Sequence, residues 1–272
     1  MILPDAASRH EPLISMGAGT GVANARFDYL LRLSDSTLIL AQRLAEWCGK
    51  APALEEDIAL SNVALDLIGQ TRLWLAYAGE TEGAGRTEDQ LAYLRDAHDF
   101  RNLLLVEQPN GNYADTIVRQ FYFDAWHYPL LQTLARSTDQ RIAGIAAKAV
   151  KEVAYHLRRS GDLVVRMGDG TADSHAKTQA AADKLWMYTG EMFERDGVDD
   201  AMIAQGMAGD AGALREPWLA HVREVFAEAT LTVPAPEAWM QTGGRRGRHT
   251  ENLGYVLAEM QFLQRAYPDA RW

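Results

Sequence analysis

Thr138-Asp-Gln-Arg-Ile-Ala-Gly-Ile-Ala-Ala-Lys-Ala-Val-Lys-Glu-Val-Ala-Tyr-His-Leu-Arg-Arg-Ser-Gly-Asp-Leu-Val-Val-Arg-Met167 decides the fold class. It contains no proline, and Ile142, Ile145, Ala146, Ala149, Val153, Leu157 and Val164 recur at threes and fours, the spacing of one helix face. Gly168-Asp169-Gly170 ends it. The same pattern fills 54–79 through Ile58, Leu60, Val63, Ala64, Leu67, Ile68, Leu75 and Ala78. Segments 26–48, 113–136, 174–195, 211–229 and 251–267 also carry helical periodicity, and no stretch alternates as a strand does. Prolines are missing from 53–108 and 130–216, so long uninterrupted helices are permitted. The expected fold is all-α: four long antiparallel helices, with shorter ones around their ends and sides. Ser34-Asp35-Ser36 is expected to begin or interrupt the first helix, because Ser and Asp compete for backbone hydrogen bonds. Pro129 is expected to bend or divide the third near residues 125–129.

The chain has 272 residues, 47% hydrophobic and 24% charged, values that exclude disordered and collagen-like architectures. A net charge of −10 argues against phosphate-backbone binding, so no nucleic-acid partner is expected. No apolar run approaches the roughly 20 residues of a membrane span, and a single Cys48 allows no internal disulfide. A cytoplasmic location is expected. Residues 1–22 lack the apolar region of a signal peptide and read as a flexible leader ahead of one helical domain, 23–272.

Helical bundles that hold two metals place Glu on two helices and Glu-x-x-His on two others, since positions three apart share a face. Glu-x-x-His occurs nowhere; Asp-x-x-His occurs once, at Asp124 and His127. Glu152 and His156 are four apart, Asp66 is followed at the ligand spacing by Gly69, and the first helix offers Gln42 or Glu46. One reading is a polar core whose members satisfy each other, with His156 buried beside a neighbour and Lys148–Glu152 an ordinary intrahelical pair. The other is a working di-metal site formed by Asp66, Asp124, His127, Glu152 and His156, which would make the chain an oxygenase in its own right. A helical adaptor unrelated to oxygenases is a third reading.

Other signals are weaker. Gly17, Gly19 and Gly21 follow no strand and precede no Lys-Ser or Lys-Thr, so they are no P-loop. Cys48 reads as a structural thiol. Arg245, Arg246 and Arg248, among the glycines of 242–249, could bind an anion, dock an acidic partner or simply be solvated.

Several stretches together resemble one family: Gln42-Arg-Leu-Ala-Glu-Trp-Cys-Gly49, Ala64-Leu-Asp-Leu-Ile-Gly-Gln70, Asn102-Leu-Leu-Leu-Val-Glu-Gln-Pro-Asn-Gly-Asn112, Phe123-Asp-Ala-Trp-His127, Lys151-Glu-Val-Ala-Tyr-His-Leu-Arg158, Thr242-Gly-Gly and Leu257-Ala-Glu-Met-Gln-Phe-Leu-Gln-Arg265. They are similar to the structural subunits of bacterial multicomponent 1,2-phenylacetyl-CoA epoxidases, and the likeness runs from about residue 26 to Trp272. The resemblance implies a ferritin-like bundle and a degenerate metal site at Gln42, Asp66, Asp124, His127, Glu152 and His156. No catalytic residue or metal of its own is implied. The implied partner is a catalytic, di-iron, ferritin-like paralogue in a heteromeric complex of aerobic phenylacetate catabolism, with NADPH used by a separate reductase. It also implies that Asp99, Phe100, Arg101, Asn102, Asp200, Ala201 and Met202 lie near the coenzyme A of the substrate, at the interface. Alone, the chain could pair with itself as a homodimer.

Overall fold

A computed structural model describes residues 21–235, 238–268 and 270. The expected leader lies outside the described residues except for Gly21 and Val22, and so do Gly17, Gly19 and Pro236. Among the described residues the chain is all-helical, without a strand. The helices are α1 (Val22–Ala45), α2 (Leu54–Glu82), α3 (Glu88–Tyr93), α4 (Leu104–Glu107), α5 (Tyr113–Leu134), α6 (Gln140–Gly168), α7 (Ala172–Trp186), α8 (Gly197–Ala204), α9 (Arg215–Glu228), α10 (Glu251–Met260) and α11 (Phe262–Ala266). At 1.5 Å per residue α2 and α6 each reach about 43 Å. None of these helices is long and apolar enough to cross a membrane.

Local chemistry sets the ends of the long helices. Gly83, at φ +71°, closes α2 in the left-handed conformation that only glycine adopts freely. The Asn112 side chain accepts the N–H groups of Ala114 and Asp115, while Asp115 accepts that of Asn112, so three otherwise unpaired donors at the start of α5 are satisfied. Asp139 does the same for Arg141 and Ile142 at the start of α6. Pro129 lies inside α5 without dividing it. Pro217 lies in the first turn of α9, where a missing N–H leaves no helical bond unmade.

α1 packs along α2 and α5 along α6. α2 also lies against α6, joined by Glu56–Arg159, Asp66–His156, Gln70–Glu152 and Glu80–Arg141. The residue numbers fall on α6 as they rise on α2, as antiparallel neighbours require. α7 and α9 cover the far side of α5, where Tyr122, Trp186, Trp218 and Phe226 stack and the Trp218 indole N–H donates to the Tyr122 carbonyl at 3.0 Å. The expected helices over 174–195 and 251–267 are shorter or interrupted: one stops at Trp186 and the other breaks at Gln261.

Two helices are enclosed on every side. Residues 29–41 of α1 and 114–127 of α5 are buried without exception. Ser34-Asp35-Ser36 therefore does not interrupt α1; it runs through the middle of the buried helix. Ser34 and Ser36 return their hydroxyl protons to the carbonyls of Leu31 and Arg32, within the helix itself. Thr37 meets Thr71 of α2 at 2.8 Å. The Asp35 carboxylate accepts both terminal nitrogens of Arg95, one at 3.0 Å, and the backbone N–H of Arg101 at 2.8 Å. Arg95 in turn lies over the Phe100 ring, 4.3 Å from its centre. A buried ion pair contributes little net stability when intact, but removing one partner strands the other charge away from water. Asp35→Ala is expected to lower stability by about 3–5 kcal/mol, read as a lower urea midpoint. Adding Arg95→Leu to it should recover part of the loss, and a double variant no more stable than the single one would refute this account.

Candidate functional site

The side chains singled out on α2, α5 and α6 divide into four arrangements. The Asp66 carboxylate accepts from His156 Nε2 at 3.0 Å, which fixes the imidazole proton on Nε2. Glu152 accepts from the Gln70 amide at 3.1 Å. Asp124, with no exposed surface, is held by Gln120 at 2.7 Å and by the Ser160 hydroxyl at 2.8 Å. His127 is buried among aromatic neighbours, its ring centre 4.8 Å from that of Phe123. His156 is thus buried beside a neighbour, but the pair expected between Lys148 and Glu152 is not formed among the described residues. Gln70, Gln120 and Ser160 were not anticipated; only Gln120 bonds a side chain four residues away on its own helix, whereas Gln70 and Ser160 reach across to α6 and α5.

This group is electrically quiet. Burial pushes the Asp124 carboxyl up to about 8, against the two hydrogen bonds that favour its ionised form. Burial, helped by nearby His156, lowers the His127 ring to about 3. His156 is lowered too, since burial outweighs the pull of Asp66. At neutral pH the interior therefore holds a protonated carboxyl and two neutral imidazoles.

The donors do not make a di-metal set. Among the described residues no three His, Cys, Asp or Glu side chains are placed to hold one ion. Asp66 is 40% exposed and turned toward His156. A Cβ built on Gly69 meets no atom within 4 Å, so a side chain there would leave the protein rather than enter it. No hydrogen bond joins Gln42 or Glu46 to this group among the described residues. Glu46 binds Arg43 and Asn110 at 2.9 and 2.8 Å, beside a surface cleft of about 410 Å³ that Trp47, Lys50 and Tyr255 also line.

The two stretches expected beside coenzyme A both meet α1. Asp99 gives its carbonyl to Arg95, and Arg101 gives its backbone N–H to Asp35. Phe100 and Asn102 are wholly buried, and Asn102 donates to Glu107 at 2.9 Å. On the other stretch Asp200 is exposed beside Arg195, Ala201 is half-buried and Met202 is buried. One turn before Asp35, Arg32 binds Asp196 and Asp199 at 2.6 and 3.2 Å, which brings the second stretch alongside the first. The cavity bounded by Tyr29, Arg32, Leu103, Trp126, Asp199 and Arg245 measures about 30 Å³, space for a water molecule.

The basic loop is tied down from within. Buried Glu191 accepts the N–H groups of Gly243 and Arg245 at 2.9 and 3.1 Å and, across the fold, that of Leu104 at 2.9 Å. Arg245 binds Asp199 at 2.6 Å and Arg246 reaches Glu194, while Arg248 is exposed. His249 contacts Glu107 through Nδ1 at 2.9 Å and the Phe100 carbonyl through Nε2 at 3.0 Å. Backbone donors that could have cradled an anion are already used by Glu191. Cys48, expected to be structural, is exposed past the end of α1.

The two perturbed groups predict opposite pH slopes. Asp124 binds its proton more tightly folded than unfolded, so its contribution is complete below pH 3.8 and is lost as pH rises through 8. His127 resists protonation when folded, so its contribution is complete above pH 6.5 and lost as pH falls toward 3. Of these two, only the Asp124 slope remains between pH 6.5 and 8. Urea midpoints there should fall with pH, by up to about 1.4 kcal/mol per pH unit, and Asp124→Asn should flatten the fall. An equal slope in both proteins would assign it elsewhere.

Comparison with known proteins agrees with the resemblance. A protein of Escherichia coli (strain K12) named as one of the subunits of 1,2-phenylacetyl-CoA epoxidase is 53% identical over 244 residues, which cover 90% of this chain and 98% of that protein. The family model described as "Phenylacetic acid catabolic protein" matches residues 18–272. With nearly the whole chain matched, it belongs to the phenylacetic acid catabolic protein family.

Proposed function

We propose that the chain is a non-catalytic, ferritin-like subunit of a phenylacetyl-CoA epoxidase complex, and that it holds a catalytic paralogue in its active form. The observation that carries this reading is a contrast. The chain is 53% identical to a protein named as a subunit of such an enzyme, yet the carboxylates of its polar interior are each bonded by a neighbouring side chain, and no metal donor set is found among the described residues. The four long helices, paired as α1 with α2 and α5 with α6, suit a ferritin-like bundle. Iron would then reside in the paralogue, electrons would come from NADPH through a reductase, and the complex would work in the cytoplasm, where coenzyme A thioesters are made. Of the stretches beside α1, Asp99, Arg101, Ala201 and Asp200 retain surface, so a coenzyme approaching there would meet the Arg101 cation among acidic neighbours.

Co-expression with an iron-carrying, ferritin-like paralogue tests the reading. The expected result is one complex of both chains, iron that follows the paralogue, and turnover that needs both. Two irons bound per chain, with turnover by this chain alone, would overturn it in favour of an oxygenase in its own right.

A further inference from the structure

The outer surface of the α2–α6 pair does not look like a surface that faces water. A helix on the outside of a soluble protein usually turns polar residues outward. On α2 the outward stripe instead carries Leu54, Ile58, Leu65 and Ile68, with Ile58 53% and Leu65 65% exposed. Gly69 lies on the same stripe with open space above it. From Ile58 to Gly69 the only ionisable side chain is Asp66, which turns aside to His156. Exposed apolar patches rimmed by polar groups mark interaction surfaces.

On the α6 side the rim is mainly basic. Lys148, Lys151, Arg158 and Arg166 project from α6, spaced along its exposed side, and none has a carboxylate partner within 4 Å among the described residues. Between Lys148 and Arg166 α6 carries two carboxylates, exposed Asp162 and half-buried Glu152, the latter bonded to Gln70, in a chain whose net charge is −10. The cations are thus concentrated beside the apolar stripe, against the sign of the whole molecule. A second copy docked on the same face by a two-fold axis would bring two such cation rows into one interface.

We infer that the joint outer face of α2 and α6 is where the catalytic paralogue docks, and that the paralogue presents a helical ridge that is apolar at its centre and bordered by carboxylates. The inference rests on the subunit reading above and adds the surface and the chemistry of its occupant. Apolar burial supplies the affinity, and the cation row sets orientation and encounter rate. Gly69 lets the opposing backbone approach closely, since no atom of the described residues lies within 4 Å of where its Cβ would stand.

The test uses the full chain titrated with the co-expressed paralogue in sedimentation experiments at low and high salt. Leu65→Glu and Gly69→Trp should weaken binding by about 30-fold or more, whereas Gly69→Ala should retain it. Lys148→Glu with Lys151→Glu and Arg158→Glu should cost about 10-fold at low salt and much less at high salt. Because these side chains are exposed, each variant alone should melt like the parent. Arg223→Glu on α9 and Tyr255→Ser on α10 serve as controls outside this face and should bind normally. If the parent forms the complex and the α2–α6 variants form it equally well, the surface is wrong while the subunit reading stands. If the parent forms no complex, both fall. A two-fold dimer of this chain, or sedimentation with phosphatidylserine vesicles, that the same variants abolish while complex formation survives would also overturn the inference.

Discussion

α1 is enclosed by protein on all sides through its middle turns, and this constraint organises the rest of the chain. A helix with no solvent face cannot leave a polar side chain to water, so each one must find its partner within the fold. Thr37 turns to α2, Arg32 to the start of α8, Arg43 to the carbonyl of Glu107, and Asp35 to the segment 95–101. Irregular segments that carry little apolar surface of their own are thereby fixed by charge-assisted bonds to one central rod. Much of what surrounds the four long helices is held by polar side chains that apolar packing alone would not have positioned.

Glu107 and Glu191 extend the same device outward. Each is fully buried and gathers donors from segments far apart in sequence: Asn102, His249 and Thr250 for Glu107, and Leu104, Gly243 and Arg245 for Glu191. Burial raises the Glu191 carboxyl, and three backbone N–H groups pull it back. The consequence reaches function. A loop rich in Gly and Arg resembles an anion cradle in sequence, but here its amides already enclose an anion, the carboxylate of Glu191.

What could be read from sequence follows from how far each signal reaches. The long helices were legible because apolar periodicity is repeated over many turns, and so was the all-α class. Ser34-Asp35-Ser36 was misread because local hydrogen-bond competition argues for a break, while the partner that makes Asp35 a helix residue, Arg95, is 60 positions away. Pro129 costs α5 one hydrogen bond, and the packing on both sides of it keeps the helix whole. The polar group was legible as a set of residues but not as an arrangement. Spacing put Gly69 where a ligand His would follow Asp66, yet a side chain at 69 would point outward. Lys148 and Glu152 had the right separation for a pair, and Gln70, from another helix, took the carboxylate instead.

The interior and the outer face are linked through Asp66. This carboxylate stands between the apolar stripe of α2 and the helix α6, 40% exposed. Whatever covers the stripe takes water away from it, and a carboxylate without a partner would oppose that by several kcal/mol. His156 removes the obstacle. Its ring is fully buried, its Nε2 proton already points at Asp66, and its neutral state leaves Nδ1 as a bare acceptor inside the protein. The Asp66 carboxylate is thus bonded before anything docks, so covering the face desolvates a bonded carboxylate rather than a free one. A metal at this point would have required Asp66 to face inward. On this chain the Asp66–His156 geometry is better suited to an interface than to an ion.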